Sequence, residues 1–358
     1  MLREFEGPLR MLIPRGLLRF QGRGSLKQAS TVHCRDRDRP PLLDRAAGGT
    51  HPRRRHASLR IFLVLVIAGV PLTAWGGEDN ALRLQNRYQE LRDLARRGPF
   101  GVPLSVHSEE RNDQVSTEVD GIIEHPFEAV KAVLSSPASW CEFAPLHANV
   151  KACTFQMQSH ETVLTFYIGR RYYQSPEDAS LQTYKFEVYT GEPGSLSVAL
   201  SAPKGLYGTT AHRLQLEAAA VEGRTLVALR SSYVPSLVTR LMTGLYLATL
   251  GWNKVGFSRE DAGPAASPRY VKGFRGLVER NVMRYYLAFE AFLDMESVPV
   301  SHRFEACIDA VYDLMEQYPA QLHEMEKAEY LDAKRREREN QLRLQQKLDA
   351  AGLRPNDR

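Results

Sequence analysis

The chain has 358 residues, of which 43% are hydrophobic and 25% are charged. That composition is typical of a globular protein and excludes a low-complexity chain. The formal net charge of +5 is unevenly distributed, because residues 1–76 carry +9 and residues 77–358 carry −4. The mildly acidic larger part argues against nucleic-acid binding, which usually requires a basic surface.

Residues 53–76 have the layout of an export signal. Three arginines at 53–55 precede an apolar run at 61–70, and small residues before Gly77 predict cleavage after Gly76. The run is shorter than the about 20 residues that a membrane-spanning helix needs. We therefore expect a periplasmic or secreted protein, with an uncleaved inner-membrane anchor as the alternative. Residues 1–52 are rich in Arg and Pro without periodicity, and we interpret them as a disordered or mis-started leader.

The cysteines leave two interpretations open. Cys141 and Cys153 lie close in sequence, and an oxidising compartment would allow a disulfide between them, but buried free thiols are equally consistent with the sequence. The chain has no CxxC motif and no His-rich cluster. We therefore expect no metal site and no cofactor.

The first predicted elements after the leader are a helix and a strand. Helical spacing of apolar residues predicts a helix from Asn80 to Arg97, and the polar tract from Phe100 to Asn112 is interpreted as a connection. Residues 77–111 thus form an N-terminal helix and linker. Alternation from Val115 to Glu124 predicts a half-buried strand, which His125-Pro126 ends before a short helix from Phe127 to Leu134.

Strand patterns dominate from Val150 to Val234. Alternating or β-branched runs, separated by turn residues, occur at 162–168, 183–189, 196–200, 212–217 and 225–233. Even spacing of such runs predicts an antiparallel meander rather than a parallel sheet.

Helical patterns return after Pro235. Residues 235–272 are an apolar helical insertion, which we interpret as an extra core helix, with a cover over a cavity mouth or a membrane-surface contact as the alternative. From Gly273 to Met295 an apolar and aromatic stripe predicts a long amphipathic helix. Residues 297–358 form C-terminal helices and a charged tail, in which the run from Lys334 to Glu339 is expected to be a solvated helix or disordered.

This order of elements predicts an α+β fold in which a curved antiparallel sheet wraps around a long C-terminal helix, with extra helices at the C-terminus. The segment from Val115 to Pro145 carries a His125-Pro126 turn, Val130 in the next helix, and the exit Ser136-Pro137-Ala138-Ser139-Trp140. It resembles the opening of the START/polyketide-cyclase (SRPBCC) superfamily. Residues 210–234 resemble the closing strands of that superfamily, and residues 273–295 resemble its gripping helix. The resemblance covers residues 112–296 and implies a helix-grip fold with a hydrophobic cavity, in an exported bacterial member.

An apolar cavity between sheet and helix would hold a lipid or another hydrophobic small molecule. The candidate ligand-binding residues are Tyr167, Tyr184, Phe186, His212, Tyr285, Phe289, Arg280 and Arg284. A phenol or imidazole would orient a polar group of the ligand, although such side chains are more often satisfied within an ordinary core. Arg280 and Arg284 share a helix face and would bind an anionic head group, although a surface salt bridge with Glu279 or nearby acids is the commoner role.

No catalytic motif stands out from the sequence, since it lacks a nucleophile elbow, a zinc-protease helix and a nucleotide-binding glycine pattern. The first hypothesis is therefore a non-enzymatic binding or carrier protein. A cyclase, hydratase or hydrolase on the same fold is the second, and an envelope interaction protein that uses the charged tail is the third.

Overall fold

The computed structural model describes residues 77–97, 101–158, 161–191, 193–249, 251–260 and 269–352. The expectations for the leader at 1–52 and the export signal at 53–76 lie outside these residues.

The helices and strands follow the predicted order. The strands are β1 (Leu104–Arg111), β2 (Gln114–Ile123), β3 (Val150–Met157), β4 (Thr162–Ile168), β5 (Ser180–Thr190), β6 (Ser195–Lys204), β7 (Thr210–Val221), β8 (Arg224–Val234), and the short β9 (Arg259–Glu260) and β10 (Arg269–Tyr270). The helices are α1 (Gly77–Arg97), α2 (Phe127–Leu134), α3 (Pro137–Phe143), α4 (Leu237–Ala248), α5 (Gly273–Asp294), α6 (Val300–Glu316), α7 (Pro319–Leu322) and α8 (Lys327–Gly352).

Eight strands form one antiparallel sheet in the order β1-β2-β8-β7-β6-β5-β4-β3. The inner face of this sheet and the helix α5 bury a single large hydrophobic core. The structure confirms the predicted fold class, a curved antiparallel sheet with a long helix across it and further helices at the C-terminus.

The polar tract before β2 is not a linker, as the sequence analysis expected, but the edge strand β1. Leu104, Val106 and Ser108 point inward and are buried. The turn between β1 and β2 places Asn112 at φ 51° and Asp113 at φ 62°. Two successive residues with positive φ are typical of the tight hairpin turn that Asn and Asp favour. Polar residues are tolerated on β1 because its outer side faces solvent.

Helix α1 covers part of the outer face of the sheet. Tyr88 and Leu91 pack on Ile122 of β2 and Leu226 of β8 in a second, smaller apolar cluster. Arg87 on the same helix forms an ion pair with Asp120, whose carboxylate is almost fully buried. The sheet is therefore covered on both faces where β2 and β8 lie side by side.

Helix α5 crosses the inner face close to β2, where a glycine makes the approach possible. A Cβ at Gly121 would overlap the hydroxyl of Tyr286. Because glycine lacks that atom, the tyrosine ring lies directly against the strand and is buried.

The opposite edge of the sheet is covered by α8. The side chain of Gln341 accepts a hydrogen bond from the backbone N–H of Cys153 (2.8 Å) and donates to the carbonyl of Cys141 (2.7 Å). Gln345 accepts from the N–H of Phe155 and donates to its carbonyl, both at 3.0 Å. These two amides satisfy backbone groups of β3 that a neighbouring strand would otherwise pair, so the edge is closed to other chains.

The charged run in α8 is not simply solvated, as expected from its composition, because two of its members are buried. Nζ of Lys334 lies 2.7 Å from the carboxylate of Glu337, which is also 2.7 Å from Nζ of Lys151 on β3. Lys334 also donates to the carbonyls of Pro145, His147 and Val150. The exposed members of the run are Arg335, Arg336 and Glu339, and Arg338 is half-buried.

The structure also pairs Cys141 of α3 with Cys153 of β3 in a disulfide, while Cys307 is free and buried. The disulfide holds β3 beside α3, next to the Cys141 carbonyl that accepts a hydrogen bond from Gln341.

The insertion helix α4 is not a core helix. None of its residues is buried, and its exposed positions are Leu237, Val238, Leu241, Gly244, Leu245 and Ala248. The interpretation as an extra core helix is therefore wrong. In the part of the chain that the structure describes, no helix is both long and apolar enough to cross a membrane.

Candidate ligand-binding site between the sheet and α5

A row of aromatic side chains crosses the inner face of the sheet at one end. The rings of Tyr184 on β5 and His212 on β7 lie 6.4 Å apart between centroids, and His212 stacks on Tyr233 of β8 at 5.0 Å. Tyr233 in turn meets Phe274, at the start of α5, edge-on at 6.4 Å. Strand register explains the row. Tyr184 pairs with Leu164 of β4 and His212 pairs with Ala202 of β6, so both rings lie on the inner face of the sheet. We call Tyr184, His212, Tyr233 and Phe274 the aromatic row.

The aromatic row is surrounded by protein but is not closed. Its members and Tyr285 of α5 are all half-buried rather than buried. The hydroxyls of Tyr184, Tyr233 and Tyr285 make no hydrogen bond to any residue that the structure describes. None of these three hydroxyl oxygens is fully buried, so each keeps accessible surface. These hydroxyls are therefore open to water or to a bound molecule.

Burial fixes the protonation state of the phenols. It raises the pKa of Tyr184, Tyr233 and Tyr285 above the usual value for tyrosine, because the phenolate would lose its hydration. All three therefore stay protonated and present hydrogen-bond donors at neutral pH.

His212 contributes an acceptor to the same space. Burial lowers its pKa, so the ring is neutral at neutral pH. The Thr209 hydroxyl donates to the carbonyl of Leu206 at 2.7 Å, so it accepts from Nε2 of His212, also at 2.7 Å. The remaining ring nitrogen, Nδ1, is then the unprotonated one. The aromatic row thus combines phenol donors with one imidazole acceptor.

The neighbouring row of the sheet adds small polar groups. Ser231 of β8 pairs with Thr117 of β2 and with Leu214 of β7. Ser231 is half-buried, and Oγ1 of Thr117 is buried without a partner among the described residues. Small side chains here leave more room below α5 than the leucines and valines farther along the strands.

The other end of the interior is filled. Trp140 contacts Phe143 at 5.0 Å and Phe186 at 6.1 Å, and Phe143 contacts Phe289 at 5.4 Å between centroids. All four rings are buried. The candidates Phe186 and Phe289 therefore belong to closed core, beside the site rather than within it.

The structure brings together three of the predicted candidates, Tyr184, His212 and Tyr285, and separates the rest. Tyr167 has the opposite parity to the buried Leu164 and Phe166 on β4, and pairs with the exposed Leu181. It therefore faces the outer surface, and the expected inward orientation is wrong. The residue pattern predicted strand β4 correctly, but β4 carries apolar residues on both faces, so parity alone did not decide which face is the inner one.

Arg280 and Arg284 of α5 are buried, and the groups they bind lie outside the aromatic row. Arg284 pairs with Glu324 (2.7 Å), and Arg280 donates to the carbonyl of Val255 (3.2 Å). Burial and the neighbouring Arg284 lower the pKa of Arg280. Arg284 thus pairs with an acid, as the alternative expected, but that acid is Glu324 and the pair is not on the surface. Glu279 is buried and accepts from Ser108, Phe257 and Ser258 instead.

A second pair of arginines, Arg170 and Arg171, is already partnered. Arg170 donates to the hydroxyl of Tyr172 at 2.8 Å, and Arg171 forms an ion pair with Glu324 at 3.0 Å. These side chains do not reach the aromatic row.

Sequence reasoning missed Tyr233, Phe274 and Ser231 as site residues. Tyr233 and Ser231 share the parity of Val227 and Leu229 on β8, a signal that was present in the alternation. Over the described ranges, no group of three or more His, Cys, Asp or Glu side chains is placed to hold a metal ion.

Comparison with known proteins gives structural similarity without sequence similarity. No family model matches the sequence, and no curated protein does. A STAR-related lipid transfer protein fragment from Xanthomonas axonopodis is similar over 53% of this chain and 93% of its own, with 10% identity and a TM-score of 0.35. The Zhui aromatase/cyclase from Streptomyces sp. R1128 is similar over 56% of this chain and 94% of its own (10% identity, TM-score 0.25). Major latex-like protein 151 from Panax ginseng is similar over 38% and 93% (11% identity, TM-score 0.25). At such values the function of this chain has to be argued from its own residues.

Proposed function

We propose that this chain is an exported, non-enzymatic protein of the START/polyketide-cyclase superfamily that binds a lipid or another apolar small molecule between the aromatic row and α5. One observation carries the proposal: aromatic side chains deep in the fold keep accessible surface, and their hydroxyls have no protein partner. Leaving three phenols without partners inside a protein costs free energy unless a ligand or water satisfies them.

The chemistry of the site indicates the kind of ligand. The walls are rings and aliphatic side chains, which favour an apolar body. The polar groups are the phenol donors and Nδ1 of His212, and no charged side chain belongs to the aromatic row. A neutral molecule with a carbonyl or hydroxyl oxygen therefore fits better than one with an anionic head, because the candidate arginines bind Glu324 and the carbonyl of Val255 instead.

The test is a titration of the purified chain with the methyl ester of cis-parinaric acid, followed by its fluorescence. The blocking variant is Ser231→Phe, which places a ring in the space beside the aromatic row. Ser232→Phe is the matched control, because Ser232 is also half-buried but lies on the outer face of the same strand. We expect the affinity of Ser231→Phe to fall at least about 10-fold, and that of Ser232→Phe to stay within about twofold.

Two results contradict the proposal. One is the absence of any saturable fluorescence change with the wild-type chain, together with no organic-extractable molecule in the purified protein by mass spectrometry. The other is equal loss of affinity in both variants, which would place the probe elsewhere on the protein.

Export is tested separately, by expressing the full gene in a bacterium and separating the periplasm from the membranes and cytoplasm. We expect a periplasmic protein whose first residue is Gly77. A membrane-bound product that retains the apolar run at 61–70 would indicate the anchored alternative.

A further inference from the structure

Four cations lie around a single carboxylate in the part of the fold that joins α5 to α8. Glu324, between α7 and α8, forms ion pairs with Arg284 of α5 at 2.7 Å and with Arg171 at 3.0 Å. Burial lowers the pKa of Lys254, Glu324 raises it, and Arg284, Arg280 and Arg171 lower it further, so these charges lie near one another. We call Arg171, Lys254, Arg280 and Arg284 the cation cluster.

The cation cluster has too few counter-charges. Arg280 and Lys254 form no ion pair with any residue that the structure describes. Lys254 donates to the carbonyl of His323 at 2.5 Å, and Arg280 donates to the carbonyl of Val255 at 3.2 Å. These carbonyls satisfy N–H groups but carry no charge. Four positive charges with one carboxylate therefore leave a formal excess of three positive charges.

Burial makes this imbalance unfavourable. Arg280 is 2% exposed and Arg284 is 4% exposed. A guanidinium group keeps its proton in proteins, so neither side chain can become neutral to avoid the interior. In addition, Nη2 of Arg280 and Nε of Arg284 are buried without a hydrogen-bond partner among the described residues. Buried cations normally have a counter-charge and buried donors normally have an acceptor, and the cation cluster lacks both.

An anion with several oxygen atoms would supply both. The cation cluster reaches solvent at Arg171, whose side chain is 50% exposed, so a solute can approach from that side. The fork of a guanidinium group matches pairs of oxygen atoms on a phosphate. A phosphate monoester also carries a charge of about −1.5 to −2 at pH 7, more than the single charge of a carboxylate. A phosphate group therefore offsets more of the excess charge.

We propose that the cation cluster binds a phosphate group, either as inorganic phosphate or as the monoester of a larger molecule. Arg171 and Lys254 meet it from the solvent side, while the buried Arg280 and Arg284 supply positive charge and N–H donors behind them. None of these residues belongs to the aromatic row. The site thus goes beyond the proposed function and holds whether or not the aromatic row binds a ligand.

The test is isothermal titration calorimetry of the full chain with sodium phosphate, in a phosphate-free buffer of low ionic strength. Broadening of the phosphorus NMR signal is the second readout, because it does not depend on the heat of binding. We expect saturable binding that weakens as sodium chloride is added. Dihexanoyl phosphatidic acid, titrated with and without inorganic phosphate, distinguishes the two sources of the group. Tighter binding that inorganic phosphate competes with assigns the site to a lipid head group, and equal affinity assigns it to soluble phosphate.

The test variant is Arg171→Gln, and Arg170→Gln is its matched control. Arg170 is the neighbouring residue and loses the same charge, but it donates to the hydroxyl of Tyr172 and has no contact with Glu324. We expect Arg171→Gln to bind phosphate at least about 10-fold more weakly, since it loses a charge-assisted contact, and Arg170→Gln to stay within about twofold. Adding Lys254→Met to Arg171→Gln should extend the loss to at least about 100-fold. Circular dichroism checks the folding of each variant.

Two outcomes overturn the proposal. One is that the wild-type chain gives neither saturable heat nor broadening of the phosphorus signal, which would leave ordered water as the partner of the buried N–H groups. The other is an equal loss of affinity in Arg171→Gln and Arg170→Gln, which would show general attraction of phosphate to positive charge. Parinaric ester binding is measured in the same variants and should not change, so failure of this site and failure of the aromatic row are seen separately.

Discussion

Replacing Glu337 by Gln tests whether the buried charges of α8 hold it on the sheet. Glu337 is the single carboxylate between Lys151 and Lys334, each 2.7 Å away, and all three side chains are at most 3% exposed. Gln keeps the shape but removes the negative charge, which leaves Lys151 and Lys334 in the core either as ammonium groups without a counter-charge or as neutral amines. Breaking a buried ion pair in this way costs about 3–5 kcal/mol, because neither cation regains its hydration. We expect the free energy of unfolding to fall by up to that amount at pH 7, because a lysine that loses its proton avoids part of the cost.

The pH dependence follows from the lysines. Burial and the nearby Lys334 lower the pKa of Lys151 from 10.5 to about 7 in the folded protein. Between these two values the unfolded chain binds more protons than the folded one, so stability rises with pH across this window. Below about pH 7 the lysine is charged in both states, and this contribution no longer changes. Glu337 raises the pKa of Lys151 and of Lys334, so in Glu337→Gln these lysines lose their protons at lower pH. The deficit relative to the wild type should therefore shrink as the pH rises through about 7.

The assay is urea denaturation of the full chain, followed by circular dichroism at several pH values. Glu339→Gln is the control, because Glu339 is exposed on the same helix and carries the same change. Lys151→Met should be milder than Glu337→Gln, since it removes a cation and leaves the Lys334–Glu337 pair balanced. The reasoning is refuted when Glu337→Gln costs no more than Glu339→Gln, or when its deficit does not depend on pH.

Three further predictions concern the sheet and its edge. Gln341→Leu leaves the N–H of Cys153 and the carbonyl of Cys141 without partners, and it should lower the free energy of unfolding in urea by about 2–4 kcal/mol. The control Leu342→Gln, at a half-exposed neighbouring position, should leave the free energy of unfolding almost unchanged. Replacing both Cys141 and Cys153 by Ala opens the linkage between positions 12 residues apart and should cost about 2–3 kcal/mol, with the double variant insensitive to reductant. Gly121→Ala pushes a methyl group against Tyr286 and should cost about 1–3 kcal/mol. Tyr286→Phe should recover part of that cost, and a penalty that this change leaves untouched would show that the contact is not its cause.

Much of the fold was predictable because it depends on local patterns. Alternation along residues 183–189 and 225–233 gave strands that the structure contains, and the apolar stripe from Gly273 gave α5 to within one residue of its end. The polar strand β1 escaped prediction, since an edge strand needs few apolar residues. Its Asn112-Asp113 turn was the signal that would have revealed it.

The candidate site was predictable only in part. Tyr184 and His212 were selected from strand parity, and the structure places them 6.4 Å apart although 28 positions separate them in sequence. The same reasoning selected Tyr167, because parity defines two faces without telling which one the helix will cover. Phe186 and Phe289 were chosen for their residue type, and only packing showed that Trp140 and Phe143 enclose them.

Apart from β1, the sequence by itself determined which segments form strands and helices and in what order, since these depend on spacing within ten to twenty residues. The tertiary structure decided what spacing does not encode. It buried Lys334 and Glu337 of a charged helix against Lys151, more than 180 residues away in the chain. It also turned the leucines of α4 outward, although their composition suggested a core. A side chain is buried only when other residues pack against it, and those residues come from distant parts of the chain.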